Sequence, residues 1–388
     1  MKQRGLAVLG GMTAAHFLKT YWQRKASVIR GAFPDLKDPL GANELAGLAC
    51  ESHVDSRLVV ERGGKKPWEV TRGPQKGKSL ERLPRSHWTL LVESMDRHSA
   101  AIADFARPFS FLPKWRMDDV MVSLAPLHGT VDAHIDSYDV FLVQGQGRRL
   151  WQVDSSSKAD YKPGLDLRIL KRFRAEAEWT LEPGDMLYVP PGVGHRGVTV
   201  ASASEVALTY SVGFRAPSSA DLLSSLLSQA VARDAPQLFS DRGRAAVEDA
   251  GELNPADLEG LRSFLVETLP AADEDAWILA AGEAVTSGGG AGHARTRLSE
   301  SSIVRRLSAG QGLTPVAGAR LSWARLTSGR AALFVNGESR VLPRAQAFAA
   351  AVLCGRHSSS SARRIAADPE LAALTADLLR LGLIGWAE

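Results

Sequence analysis

The chain has 388 residues, 45% hydrophobic and 23% charged, which is normal for a globular protein of two or three domains able to bury a core. Two distant cysteines, Cys50 and Cys354, exclude a disulfide framework and a zinc finger. No apolar run approaches the ~18 residues of a membrane-spanning helix, and a net charge of +4 of mixed sign permits nucleic-acid contact without arguing for it.

The N-terminal "MKQRGLAVLGGMTAAHF" has a basic start and a short apolar run, like a weak signal peptide, but the run holds two glycines and a threonine. It flows into "FLKTYWQRKASVIRGAF", which reads as an amphipathic helix followed by a strand. We therefore expect no leader and a cytoplasmic protein. "SRLVVERGGKKPWEVTRGP" reads as a hairpin turning at Gly63-Gly64. "DDVMVSLAP", "YDVFLVQGQGRRLWQVD", "EAEWTLEPGDMLYVPPGVGHRGVTV" and "SEVALTYSVGFRAP" follow. Each is short, alternating or β-branched, and punctuated by Gly or Pro. Such spacing predicts an antiparallel jelly-roll or barrel over 1–215. Gly145-x-Gly147 joins two β-runs instead of opening a helix, so it reads as a hairpin turn and not as a phosphate loop.

After Pro217 the pattern becomes helical. "SSADLLSSLLSQAVARD", "NPADLEGLRSFLVETLP" with Asn254 as N-cap and Pro255 at the first helical position, and "DEDAWILAAGEAV" predict an all-α domain over 216–286. "TSGGGAGHARTRLSESS" reads as a linker. "ALFVNGESRVL" is a hairpin turning at Asn336-Gly337, and two helical segments follow it, "AQAFAAAVLC" and "PELAALTADLLRLGLI". This predicts a winged-helix-like domain over 287–388. No basic recognition helix stands out, so a structural or partner-docking role is expected and direct nucleic-acid binding is not.

The chemistry sits in "AHIDSYDVF". His134 and Asp136 are two apart and share one face of a strand. Alone, such a pair is ordinary strand surface. About sixty residues later, "PGDMLYVPPGVGH" runs turn, strand, turn and then His195, a frequent way for a double-stranded β-helix to bring a histidine to its mouth. Two histidines and one carboxylate form the facial triad of non-haem iron(II) oxygenases. Three protein ligands on one face leave three positions open, two for a 2-oxoacid and one for dioxygen. Asp139 competes as the carboxylate, but its odd offset from His134 turns it to the other face. A zinc or manganese cupin would offer a second histidine beside the first and a later glutamate, and neither is here. His16, His53, His87, His98, His293 and His357 lack ligand spacing. His128, in the turn before the strand, is read as a non-ligand. A 2-oxoglutarate co-substrate needs a cation for its far carboxylate. Arg148 and Arg149 alternate across their strand, so one of them points inward.

Together, the HxD motif with "YDVFLVQGQGRRLW", "PGDMLYVPPGVGH" and "YSVGFRAP" resembles the bacterial ribosomal oxygenases, which are JmjC-type, cupin-like 2-oxoglutarate hydroxylases. The resemblance extends to "DPLGANELAGLACESHVDSRLV" and to the domain order. It implies an α+β chain: a double-stranded β-helix, a helical dimerisation domain and a winged-helix-like domain. It also implies Fe(II), 2-oxoglutarate and O2 as cofactor and co-substrates, and hydroxylation of the β-carbon of an arginine in large-subunit ribosomal protein sixteen. By this resemblance His134, Asp136 and His195 bind iron and Arg149 holds the 2-oxoglutarate carboxylate. Asp119, Tyr138 and Ser211 fall at family positions that contact the substrate arginine, with Met121 packing beside them. The family's serine beside the co-substrate falls at Ala125, with Ser123 and Thr130 as the nearby hydroxyls. The competing readings are a JmjC demethylase, a hydroxylase of another substrate and a non-catalytic cupin acting as a binding protein.

Overall fold

A computed structural model describes residues 5–64, 67–233, 239–240, 255–268, 274–290, 297–356 and 358–387. The Asn254 cap, His293 and His357 lie outside these residues. The chain divides into two units, Met1–Ala216 and Pro217–Glu388.

The first unit holds twelve strands among its described residues: β1 (Ser27–Ile29), β2 (Ser56–Glu61), β3 (Trp68–Arg72), β4 (Trp88–Val92), β5 (Met117–Pro126), β6 (His134–Ile135), β7 (Asp139–Gln144), β8 (Arg148–Asp154), β9 (Ala177–Leu181), β10 (Met186–Val189), β11 (Gly194–Val200) and β12 (Val206–Phe214). They form an eight-stranded sheet, ordered β1-β10-β7-β12-β5-β4-β2-β3, and a four-stranded sheet, ordered β6-β11-β8-β9. Every pairing is antiparallel. The hairpin expected at Gly63-Gly64 is β2–β3. The one expected at Gly145–Gly147 is a correction: β7 and β8 belong to different sheets, so this turn carries the chain around a corner between them. Backbone bonds hold the corner, Gly145 N to Leu208 O and Leu208 N to Gln146 O, both 2.9 Å.

Period-2 alternation explains the two cores. On the outer face of the large sheet, Val120, Val122, Leu124, Phe141, Val143, Tyr188, Leu208, Tyr210, Val212 and Phe214 pack against Phe17, Phe109 and Ile102. On the inner face, Val140, Leu142, Leu187 and Val189 meet Trp151, Val153 and Leu181. β7 and β10 are buried on both faces, which is why "DVFLVQ" and "MLYV" read as almost unbroken apolar runs. Each fully buried large apolar side chain contributes about 1.5–3 kcal/mol. Asp139 lies on the outer face, as its strand parity requires. It is fully buried and accepts from Tyr188 Oη (2.6 Å), Gln23 Nε2 (3.0 Å) and Arg116 Nη2 (3.0 Å).

In the second unit, helices cover Ser219–Arg233, Pro255–Thr268 and Glu274–Thr286, at the three predicted segments. Ser218 and Asp221 cap the first reciprocally: Asp221 N donates to Ser218 Oγ, and Asp221 Oδ2 accepts from Ser218 N. Further on are β13 (Leu313–Pro315), β14 (Leu321–Arg325), β15 (Ala331–Val335), β16 (Glu338–Leu342) and β17 (Ile384–Trp386). β14-β15-β16 make a sheet, and the β15–β16 hairpin turns at Asn336-Gly337, both with positive φ. Leu279 of the third helix packs on Leu326, Ala332 and Phe334, so that helix shares a core with this sheet. No helix among the described residues is long and apolar enough to cross a membrane.

Candidate metal centre

β6 is two residues long, yet it sets the geometry. His134 pairs directly across from His195 of β11, so both rings leave the same face of the small sheet. The ring centroids are 4.3 Å apart. Asp136 follows β6 and places Oδ2 3.5 Å from His195 Nε2 and 4.0 Å from His134 Nε2. The Pro190-Pro191-Gly192 turn ties back to the Asp136 main chain, Gly192 N donating to the Asp136 carbonyl oxygen at 2.9 Å. Ligand atoms of the three residues lie within 4.8 Å of one another, and no other such trio occurs among the described residues.

Both imidazoles are oriented by main-chain oxygens. His134 Nδ1 donates to Asp132 O (3.0 Å) and His195 Nδ1 to Val193 O (3.1 Å). This leaves both Nε2 lone pairs facing Asp136, the usual arrangement for a metal-bound histidine. Burial first, and then the His134 ring, pushes His195 down to about 4, so it is neutral at pH 7, as a ligand must be. Two imidazoles and an aspartate side chain on one side of an open mouth fit a divalent transition metal with free positions.

Arg149, not Arg148, points inward. Arg148 pairs with Glu182 at 2.8 Å outside the barrel. Arg149 is only 3% exposed, and its Nη1 donates to Ser123 Oγ (3.1 Å) and Thr209 Oγ1 (3.4 Å). Among the described residues no carboxylate pairs with it, and burial lowers its pKa to about 10. Its Nε and the Trp151 Nε1 are buried without a partner among the described residues. The Trp151 ring lies 5.0 Å from the guanidinium and 6.2 Å from the His195 ring, between the cation and the metal-binding trio. A buried cation without a counter-charge is costly. A dicarboxylate reaching from the metal to Arg149 would supply that charge and acceptors for the idle donors. Ala125 is fully buried; of the two nearby hydroxyls named from the sequence, Ser123 bonds to Arg149, whereas Thr130 Oγ1 accepts from Asp132 N.

The four positions assigned to substrate line the same interior. Asp119 and Met121 share the inward face of β5 with Ser123, and Ser211 on β12 pairs across from Met121. A Cβ built on Gly213 would lie 3.6 Å from Asp119 Oδ1 and 3.8 Å from Tyr138 Cε2, so the carboxylate and the phenol flank one bare backbone position. Asp119 Oδ2 accepts from Ser94 N at 2.8 Å. Burial, with Asp96, Asp118 and Glu93 adding repulsion, raises Asp119 to about 6. Burial likewise raises Tyr138, which stays a neutral phenol.

Two glycines were missed by sequence reasoning. Gly213 opens the space beside Asp119. Gly197 does the same for Arg149: a Cβ there would sit 2.8 Å from Arg149 Nε and 2.7 Å from the Trp151 ring. Their only signal is a glycine inside a strand, in "GHRGVTV" and "YSVGF". His16, His53, His87, His98 and His128 stay outside the trio; the His87 and His128 rings meet at a tilt of 39° with centroids 4.9 Å apart.

A family model described as a JmjC domain matches residues 104–222. The chain is 38% identical over 255 residues to the ribosomal protein uL16 3-hydroxylase of Escherichia coli K12, covering 65% of this chain and 66% of that protein. It is 31% identical over 266 residues to a probable ribosomal oxygenase of Haemophilus influenzae, covering 66% and 64%. These alignments thus span just under two thirds of both curated relatives. The structural matches run further. The crystal structure of the E. coli ribosomal oxygenase YcfD matches with a TM-score of 0.80 at 31% identity, over 96% of this chain and 98% of that one. A YcfD structure in complex with cobalt and 2-oxoglutarate matches with a TM-score of 0.79 at 30% identity, over the same shares. On this agreement of sequence, fold and converging side chains, the chain belongs to the bacterial ribosomal oxygenase family.

Proposed function

We propose that this chain is an iron(II)- and 2-oxoglutarate-dependent hydroxylase acting on the β-carbon of an arginine in ribosomal protein uL16, and that it works in the cytoplasm, where ribosomes are. The observation that carries this reading is the pairing of the His134–Asp136–His195 trio with a buried Arg149 that lacks a counter-charge. The relative from E. coli is named for the 3-hydroxylation of uL16.

His134, Asp136 and His195 would hold the metal. Arg149, steadied by Ser123 and Thr209, would take the far carboxylate of 2-oxoglutarate. When bound, iron and 2-oxoglutarate supply the activation of dioxygen that C–H hydroxylation needs. The protein's own part is positioning. Asp119 in its charged form pairs with a guanidinium, Tyr138 offers its ring as a stacking face, and Met121 and Ser211 complete the wall. Holding the guanidinium at Asp119 leaves the arginine β-carbon, not its terminal nitrogens, free to turn toward the trio. The apolar inner layer, Val140, Leu142, Leu187 and Val189, keeps bulk water from the barrel floor.

The helical part, 216–286, is read as a homodimer interface and 287–388 as a winged-helix-like domain. Supporting the dimer, Leu223, Leu227, Leu258, Leu261 and Trp277 on these helices are large apolar residues that stay exposed.

The test is incubation of purified, iron-loaded protein with uL16 and 2-oxoglutarate. Succinate release and a gain of one oxygen atom on one arginine are expected. Loss of a methyl group as formaldehyde would favour a demethylase, and no succinate with any ribosomal substrate would sink the reading.

A further inference from the structure

The second unit carries a pocket of about 580 Å³ whose lining residues fall between 323 and 361. Arg325, Arg330 and Arg356 line it with Trp323, Phe348, Ser358 and Ser361, and no carboxylate among the described residues does. Arg330 is anchored by the buried Asp275, which also accepts from Thr327. Arg325 and Arg356 are exposed and carry no ion pair among the described residues. Trp323 and Arg325 leave the same face of β14, two residues apart, so an aromatic plane and a cation lie side by side.

The charge of the chain is concentrated around this pocket. From 325 to 367 there are seven arginines, no lysine and a single acid, Glu338, a net of +6 in a chain whose total is +4. The remaining sequence is therefore slightly acidic, and the modest total conceals a basic region. Arginine without lysine suits bidentate phosphate pairing and stacking on flat rings. The cavity has room for one nucleotide-sized group, and a concave pocket admits a base turned out of a single strand, whereas a duplex cannot enter it.

We propose that this pocket binds single-stranded nucleic acid, with phosphates on Arg325 and Arg356 and a base against Trp323. This site is distinct from the arginine-hydroxylation site and does not depend on it. It gives an enzyme with a ribosomal substrate a second hold, on exposed RNA. It also departs from the sequence-based expectation, which looked for a basic helix. Here the cations come from a strand end, a loop and a helix terminus, brought together only by folding.

Full-length protein is titrated against a labelled single-stranded RNA 12-mer by fluorescence polarisation, from roughly 50 to 200 mM salt. Binding should weaken with salt by a log–log slope of about −0.7 per phosphate contacted. The R325A/R356A pair should weaken binding about tenfold or more and reduce that slope by about 1.4, leaving the melting temperature and hydroxylation of a uL16 peptide at parental values. Trp323→Phe, which keeps a ring, should bind better than Trp323→Ala. Single-stranded DNA at equal affinity supports a phosphate-and-base site without 2′-hydroxyl readout. Absence of RNA binding at low salt, equal binding by the arginine pair, equal binding of duplex, or competition by polyglutamate as strong as by RNA each overturns the proposal.

Discussion

Gly197→Ala adds one methyl group, and the atoms nearest to it belong to Trp151 and Arg149, not to a metal-ligating residue. The added Cβ would lie 2.7 Å from two atoms of the Trp151 ring and 2.8 Å from Arg149 Nε, where ordinary contact begins at 3.4 Å. Trp151 is 5% exposed and Arg149 3%, so neither side chain has open space to retreat into. Overpacking of this kind costs about 1–3 kcal/mol. The same displacement pulls the guanidinium from Ser123 and Thr209 and misaims it toward a co-substrate. A loss of about 1.4–2.8 kcal/mol in that interaction is a 10- to 100-fold rise in Kd for 2-oxoglutarate. Isothermal titration of 2-oxoglutarate into protein loaded with redox-inert Mn(II) reads this directly. A parallel titration of Mn(II) alone should be unchanged, because the trio is not displaced. Parental affinity for 2-oxoglutarate in a folded G197A protein would refute the assignment of Arg149 and of the space Gly197 leaves for it.

Arg149→Met should abolish measurable 2-oxoglutarate binding, yet leave the melting temperature equal or higher, since a buried cation without a counter-charge is removed; a large loss of stability would show that the cation is structural. Asp119, raised to about 6, destabilises the fold as pH climbs from 3.8 through 6, because the native state holds its proton more tightly. Asp119→Asn should therefore be more stable than the parent at pH 7, by at most about 3 kcal/mol, with no advantage below pH 4, while KM for the arginine substrate rises. In the parent, the same titration should raise KM as pH falls below 6, and a flat profile would contradict the pairing. Asp136→Ala should lose the rise in melting temperature that Mn(II) or Co(II) gives the parent; persistence of that rise would place the metal elsewhere.

The trio was legible because strand parity is a local rule. The two-residue spacing put His134 and Asp136 together, and the odd offset sent Asp139 to the outer face, where Arg116, Gln23 and Tyr188 now hold it. The same rule allowed only one of Arg148 and Arg149 inside. What the sequence hid depends on distances across the barrel. Gly197 and Gly213 matter for what faces them, and nothing in their own neighbourhoods names Arg149 or Asp119. The corner at Gly145–Gly147 looked like a hairpin because turn chemistry is the same whether the next strand joins the same sheet or another. The basic pocket was invisible because its cations are scattered over 325–356 and diluted by acids elsewhere.

Main-chain oxygens, not side chains, aim both imidazoles, and this shapes how the site can drift. A carboxylate orienting a histidine can be lost by one codon change, whereas the carbonyls of Asp132 and Val193 survive any replacement that keeps the backbone path. At Asp132, with φ of +61°, that favours Asn or Gly as exchanges that keep the backbone path, at the loss of the ion pairs with Lys162 and Arg196. Val193 lies between the Pro-Pro-Gly turn and β11, so its tolerance is set by that turn. Homologues should therefore keep the torsions at these two places and vary in residue type only as those torsions allow, a signature to seek in backbone geometry first.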